Sequence, residues 1–151
     1  MPVFRLSSHI TFPPPHLAND YGLLAVGGDL SPERLMMAYA RGIFPWYNPG
    51  EPILWWSPDP RLVLYPQNIH ISRRLARTIR QARFQITFDT AFEQVIAACA
   101  YDHTQHYGGT WIDADMISAY CDLHKAGFAH SIEAWRSDQL AGGLYGVSLG
   151  R

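Results

Sequence analysis

The sequence predicts an α/β (α+β) protein in which a small proline-rich N-terminal domain, residues 1–66, precedes a more regular part, residues 67–151. Two observations carry this. All eleven prolines lie at or before Pro66, leaving 85 residues without one, and proline fixes φ, lacks an N–H and interrupts helices and central strands alike. Beyond that boundary apolar residues recur at helical and strand periods in turn.

In the first part the prolines at 13–15, 45, 49, 52, 58 and 60 read as loop. One helix stands out. Ser31 can cap it, Pro32 fits the first helical position, Glu33 suits the positive end of the helix dipole and Gly42 stops the run. Residues 61–65 and 84–88 read as short strands flanking a helix that begins near Ser72. A second helix runs from Asp89 with Phe92, Val95, Ile96 and Cys99 on one face. A third runs from Asp113, with Met116, Ile117, Tyr120 and Leu123 inward and Gly127 just past its end. Residues 128–135 and 139–149 read as two strands of a hairpin, joined by the polar Arg136, Ser137 and Asp138. The second of these strands is apolar, rich in glycine, and followed by neither cap nor polar tail. Such a sheet edge invites association, so the expectation is that this polypeptide is the front part of a longer protein, truncated at a sheet edge that its next element covers.

With 151 residues, 48% hydrophobic and 17% charged, and a net charge of −1, the composition excludes disordered, collagenous and coiled-coil classes. Bulk charge names no partner. No stretch approaches the ~20 apolar residues of a membrane span, and the start has no secretory pattern, so the expected location is cytoplasmic with no membrane partner. Cys99 and Cys121 stand in no paired-thiol motif and no disulfide is expected.

Charge becomes informative locally. Residues 61–88 hold six arginines (61, 73, 74, 77, 80, 83) and no carboxylate. On a helix Arg73, Arg77 and Arg80 fall within an arc of roughly 60°, opposite Ile71, Leu75, Ile79 and Ala82. Like charges at helical spacing repel, and a polyanion relieves them; a solvated basic face without a ligand is the alternative. Arginine also donates bidentately to phosphate and stacks on flat rings.

Rings form the second constellation. Phe44, Trp46, Tyr47, Trp55 and Trp56 lie on proline-rich connections, where the backbone is expected to be rigid but irregular. Rings held this way either face a nucleic-acid base or fill the core. The core is preferred for Trp55 and Trp56, and Trp46 fits both. Residues 108–113 form a loop delivering Trp111 beside a helix start, for a ligand or merely as a cap. His103 and His106, with Asp102 and the later His124, have the content of a metal cluster without its spacing, so a plain polar loop and no metal are expected. Gly27, Gly28 and Asp29 lack the spacing of a phosphate loop. His130 and Ile132 alternate with Ser131 and Glu133 across a strand, so no serine–histidine pair follows. Glu133 reads as an exposed strand carboxylate, a possible partner for a cationic group.

Taken together, residues 22–31, 38–46 (ending in Gly42, Ile43, Phe44, Pro45, Trp46), 52–61 (with Trp55, Trp56, Ser57, Pro58), 70–73, 110–112, 129–133 and 142–147 resemble the bacterial leucyl/phenylalanyl-tRNA–protein transferases. The likeness runs in order from about Phe12 to the last residue. It implies transfer of Leu or Phe from Leu-tRNA or Phe-tRNA to a protein or peptide with N-terminal Arg or Lys, which tags that protein for degradation by the N-end rule, without any cofactor. It also implies that the second part begins an N-acetyltransferase-like domain with a mixed sheet. By position Trp46 and Trp111 match the tryptophans around the 3′-terminal adenosine, Leu144 matches a wall of the Leu/Phe side-chain pocket, and Arg73, Arg77 and Arg80 match the tRNA-binding helix. The family continues past Gly150 into stretches whose Asp and Gln are assigned catalytic roles, so no catalytic residue is placed in this chain and little or no transferase activity is expected of it.

Two other classes compete. A non-catalytic module binding tRNA or single-stranded nucleic acid would use the same helix and rings but treat charged and uncharged tRNA alike, with a steep salt dependence. Acyl transfer from a small thioester follows from fold analogy alone.

Overall fold

The computed structural model describes residues 3–107 and 109–150, so Gly108, counted above in the loop before Trp111, lies outside the described residues. The protein is α/β. A first sheet takes β1 (Phe4–Leu6), β2 (Leu23–Gly27), β3 (Phe44–Pro45) and β4 (Leu54–Trp56) in the order β1-β2-β4-β3. It is mixed: β1 and β2 run parallel, the other neighbours antiparallel.

The aromatic stretch expected to be irregular thus contributes two strands. Trp55 points into the core and its Nε1–H donates to the Gly27 carbonyl at 2.8 Å, which satisfies the one polar atom of a buried indole. Between β2 and β3 lies α1 (Pro32–Ala40). Ser31 makes no side-chain cap. Asp29 Oδ1 instead accepts the Ser31 N–H at 2.9 Å, an Asx turn that aims the chain into the helix. At the far end Gly42, at φ +74°, lets Gly42 N–H reach the Tyr39 carbonyl and Ile43 N–H the Ala38 carbonyl, closing the helix.

The second sheet is antiparallel, with β5 (Gln85–Phe88), β6 (Ala129–Arg136) and β7 (Gln139–Val147) in that order. Ser137 and Asp138, both at positive φ, make the two-residue turn whose twist suits a hairpin. Helix α3 (Phe92–Tyr107) begins later than Asp89, because Asp89 is spent leaving β5: its φ is +56° and its N–H bonds the Ser131 carbonyl. Residues 103–106, expected as a polar loop, are the last turns of α3. Helix α4 (Ala114–Lys125) is capped by Asp113, whose Oδ1 accepts the Met116 N–H at 2.8 Å, and Gly127, at φ +80°, follows its C-terminal cap Ala126.

Helices α3 and α4 pack on one face of the second sheet. Phe92, Ile96, Met116, Tyr120 and Leu123 join Leu24, Leu35, Ala38, Ile43 and Trp55 in one core, so the two sheets share their apolar interior. The hydroxyls of Tyr39 on α1 and Tyr120 on α4 meet across this seam. Cys121 is buried and Cys99 partly so, both as free thiols.

Residues 61–65, expected as a strand, are irregular, and Leu62 is 98% exposed. Among the described residues no strand pairs with this segment, so its backbone gains nothing over solvation by being extended. Helix α2 (Arg73–Arg80) forms where the spacing places it, with Ser72 Oγ accepting the Leu75 N–H at 3.2 Å. None of its residues is buried, and its apolar side, Leu75 at 47% and Ile79 at 60% exposed, is uncovered in this chain. No helix among the described residues is long and apolar enough to cross a membrane.

Candidate functional site

Trp46 and Trp111 come together. They line one cleft of about 460 Å³ with Asn48, Pro49, His103, Gly109 and Thr110. Trp46 follows directly on β3. Its N–H donates to the Leu54 carbonyl at 2.9 Å, and its own carbonyl accepts the Trp56 indole N–H at 2.6 Å. The two rings lie 5.9 Å apart, so Trp56 backs the Trp46 ring while that ring stays 51% exposed. Trp111 enters from the segment that leads to the Asp113 cap and rests partly against the core. His103, on the last turns of α3, has Nδ1 2.8 Å from the Gly109 carbonyl and ties that segment down. Both indoles therefore line the cleft, and an exposed indole is suited to contact with a flat ring.

Leu144 lies elsewhere, in a hollow of about 330 Å³ lined also by Phe88, Asp89, His130 and Ile132. Strand register explains its apolar floor: Phe88 pairs with Ile132 and Ile132 with Leu144, which sets three apolar side chains in a row on the sheet face that the helices leave open. Leu144 is 66% exposed there. The residues of this hollow and those of the tryptophan cleft do not overlap.

Arg73, Arg77 and Arg80 are exposed on α2 and line neither depression. Their guanidinium groups have no acidic side chain near them in sequence to neutralise them. A third depression, about 610 Å³, gathers Asp29, Glu51, Asp113, Asp115 and Asp122 around Tyr47. Burial, reinforced by the charges of Asp113 and Asp115, pushes the Tyr47 hydroxyl up to about 12. Phosphates are repelled from such a surface.

Glu133 is the residue that sequence reasoning missed. It is fully buried rather than exposed. Its carboxylate accepts hydrogen bonds from Ser131 Oγ at 2.5 Å, Thr87 Oγ1 at 2.5 Å, Thr90 Oγ1 at 2.9 Å and the Ala91 N–H at 3.4 Å. Burial by itself raises a carboxyl group, but the donors from Ser131, Thr87 and Thr90 outweigh it and hold Glu133 at about 2. Its oxygens are committed to this cage, so an acceptor cation finds no free face. Ser131, two residues earlier on the same strand face, was the available signal; the threonines arrive through β5 and the turn after it.

The chain also compares closely with known proteins. A family model described as leucyl/phenylalanyl-tRNA protein transferase matches residues 63–151, and one for the N-terminal domain of that transferase matches residues 28–59. A leucyl/phenylalanyl-tRNA–protein transferase of Desulfatibacillum aliphaticivorans is 64% identical over 151 residues, all of this chain and 65% of that protein. One of Anaeromyxobacter sp. (strain Fw109-5) is 61% identical over 150 residues, 99% of this chain and 64% of that protein. The chain therefore spans just under two thirds of the length of these relatives. With this identity and a family model covering more than half of its residues, the chain belongs to the leucyl/phenylalanyl-tRNA protein transferase family.

Proposed function

We propose that the protein serves aminoacyl transfer, in the cytoplasm, from Leu-tRNA or Phe-tRNA to the α-amino group of a protein that begins with Arg or Lys, tagging it for degradation by the N-end rule. One observation carries the proposal: Trp46 and Trp111, distant in sequence, wall one cleft. Stacking of a base on an aromatic side chain contributes ~1 to 3 kcal/mol, so this cleft suits the 3′-terminal adenosine. The apolar hollow at Leu144 has a volume compatible with a Leu or Phe side chain. Arg73, Arg77 and Arg80, exposed and without acidic neighbours, suit the tRNA backbone. On this reading residues 1–66 are the small N-terminal domain and residues 67–151 belong to the larger one.

Aminolysis of an ester needs a neutral amine close to the carbonyl, a proton acceptor and donors for the developing oxyanion. The ester is already activated, and the chemistry needs no metal or organic cofactor. No described residue is assigned a catalytic role.

Filter binding with Phe-tRNA and deacylated tRNA, run beside transfer of labelled Phe to an Arg-starting peptide, tests the reading. Preferential retention of Phe-tRNA with little or no transfer by this chain is the expected result, and robust transfer overturns the expectation of weak activity. Equal retention of both, with a steep salt slope, favours a non-catalytic RNA-binding module. Retention of neither sinks the proposal.

A further inference from the structure

Beside Leu144 the open sheet face carries a polar pair that the reading above leaves unused. Strand β6 alternates: Ala129, Ser131 and Glu133 are buried toward the helices, while His130 and Ile132 lie on the open face. His130 is paired with Gly146 of β7, so no cross-strand side chain covers the imidazole. Its Nδ1 lies 2.7 Å from Asp89 Oδ2.

The direction of that bond follows from chemistry. The hydrogen bonds from His130 and from the Ser131 N–H, the latter at 2.8 Å, keep the Asp89 carboxyl below its usual range. An ionised carboxylate only accepts, so His130 Nδ1 donates. In its uncharged form an imidazole that donates from Nδ1 has its lone pair on Nε2. The neighbouring His124 is committed elsewhere, its Nδ1 2.8 Å from the Ala129 carbonyl and 3.8 Å from Asp89 Oδ1.

Asp89 owes its place to the turn that ends β5, where its φ is +56° and its N–H bonds the Ser131 carbonyl. That backbone bond and the one from Ser131 N–H to Oδ1 already fasten the turn to β6. The half-exposed imidazole is not needed for the purpose.

The hollow therefore combines the apolar side chains of Phe88, Ile132 and Leu144 with the polar pair His130 and Asp89 in its lining. Its complement is a molecule with one hydrophobic group and an amine close to it. Such a molecule is an ester of leucine or phenylalanine with its α-amino group free. We infer that His130, oriented by Asp89, recognises the free α-amino group of the aminoacyl ester whose side chain lies on Phe88, Ile132 and Leu144, so that esters with a blocked amino group are discriminated against. The inference rests on the assignment of the Leu144 hollow to the aminoacyl side chain. No bond is made or broken in this recognition. A protonated amine donates to Nε2 and is drawn to the Asp89 charge, whereas an acetylated one is neutral and bulkier.

The test uses the full chain and follows the ring carbon–proton signals of His130 by NMR. L-phenylalanine methyl ester and N-acetyl-L-phenylalanine methyl ester are titrated separately. The free amine is expected to shift the His130 signals and to bind about tenfold more tightly than the acetylated ester, the difference worth one hydrogen bond to a charged group. His130→Ala, followed on the methyl signals of Ile132 and Leu144 in the same hollow, is expected to abolish that preference while keeping the affinity for the acetylated ester. Leu144→Ala is expected to weaken both. Equal affinity of the two esters for the unaltered chain overturns the role of His130 and leaves the hollow standing, as does a preference that survives His130→Ala. Failure of both esters to bind removes the hollow's assignment and the inference with it.

Discussion

Thr87 and Glu133 face each other directly across β5 and β6, and the Thr87 hydroxyl donates to the Glu133 carboxylate at 2.5 Å. The same hydroxyl accepts the Trp135 indole N–H at 2.8 Å, so one threonine joins a buried charge to a half-buried ring. Ionised and satisfied, this carboxylate ties β5, the start of α3 and β6 together.

A pH dependence follows. The Glu133 value in the folded chain, about 2, lies below its ordinary 4.5. Its contribution to stability is complete above the unfolded value, and it is lost as the pH falls from about 4.5 toward about 2. A gap of that size corresponds to roughly 3 kcal/mol. Thermal melts across this acid range are expected to show a falling Tm, and Glu133→Gln is expected to flatten that part of the profile. Glu133→Ala, which strands three hydroxyl donors, is expected to lose about 3 kcal/mol near neutrality. A Glu133→Gln profile parallel to that of the unaltered chain would refute the assignment.

Gly143 offers a steric test. A Cβ there would meet Val95 Cγ2 at 2.8 Å and Cγ1 at 3.0 Å, whereas one on Gly142 meets nothing within 4 Å. Gly143→Ala is expected to cost about 1 to 3 kcal/mol by forcing β7 away from α3. Gly142→Ala should sit near neutral. Denaturant unfolding of the two variants measures the contrast, and equal midpoints would contradict the packing of α3 on this strand.

For the tryptophan cleft, Trp46→Ala and Trp111→Ala are each expected to weaken binding of a tRNA 3′ end by ~1 to 3 kcal/mol. Trp46 is half exposed, so its removal should leave the melting temperature nearly unchanged. Trp111 rests partly on the core, and its removal is expected to reduce stability as well. Titration with a short single-stranded oligonucleotide ending in adenosine reads both. Undiminished affinity in folded Trp46→Ala protein returns that ring to a purely structural role.

The basic helix makes a different kind of prediction. Replacing Arg73, Arg77 and Arg80 by Gln is expected to lower the slope of log affinity against log salt by about one for each phosphate that is no longer neutralised. Folding should be unaffected, because no residue of α2 is buried. An unaltered slope identifies the face as solvated surface only.

The starts of α2 and α4 were legible in the residues themselves because capping is local, whereas Ser31 makes no side-chain cap on α1 and α3 starts later than Asp89 and runs through residues 103–106. Asp113 caps α4 and Gly127 follows it; Ser72 caps α2; the hairpin turns at Ser137 and Asp138. The basic character of α2 was equally open to inspection. Other features depended on which distant segments meet. Residues 61–65 have the composition of a strand but find no partner, and Phe44 and Trp56 become strand residues because they pair with each other. Glu133 reads as solvent-exposed until Thr87 and Thr90 arrive beside it through the β5–β6 pairing. The junction of Trp46 with Trp111 and the separation of both from Leu144 are likewise decisions of the tertiary fold. Local chemistry sets the conformation of a few consecutive residues, whereas a site joining distant segments requires the two sheets to bury a common core, and that core exists only in the folded chain.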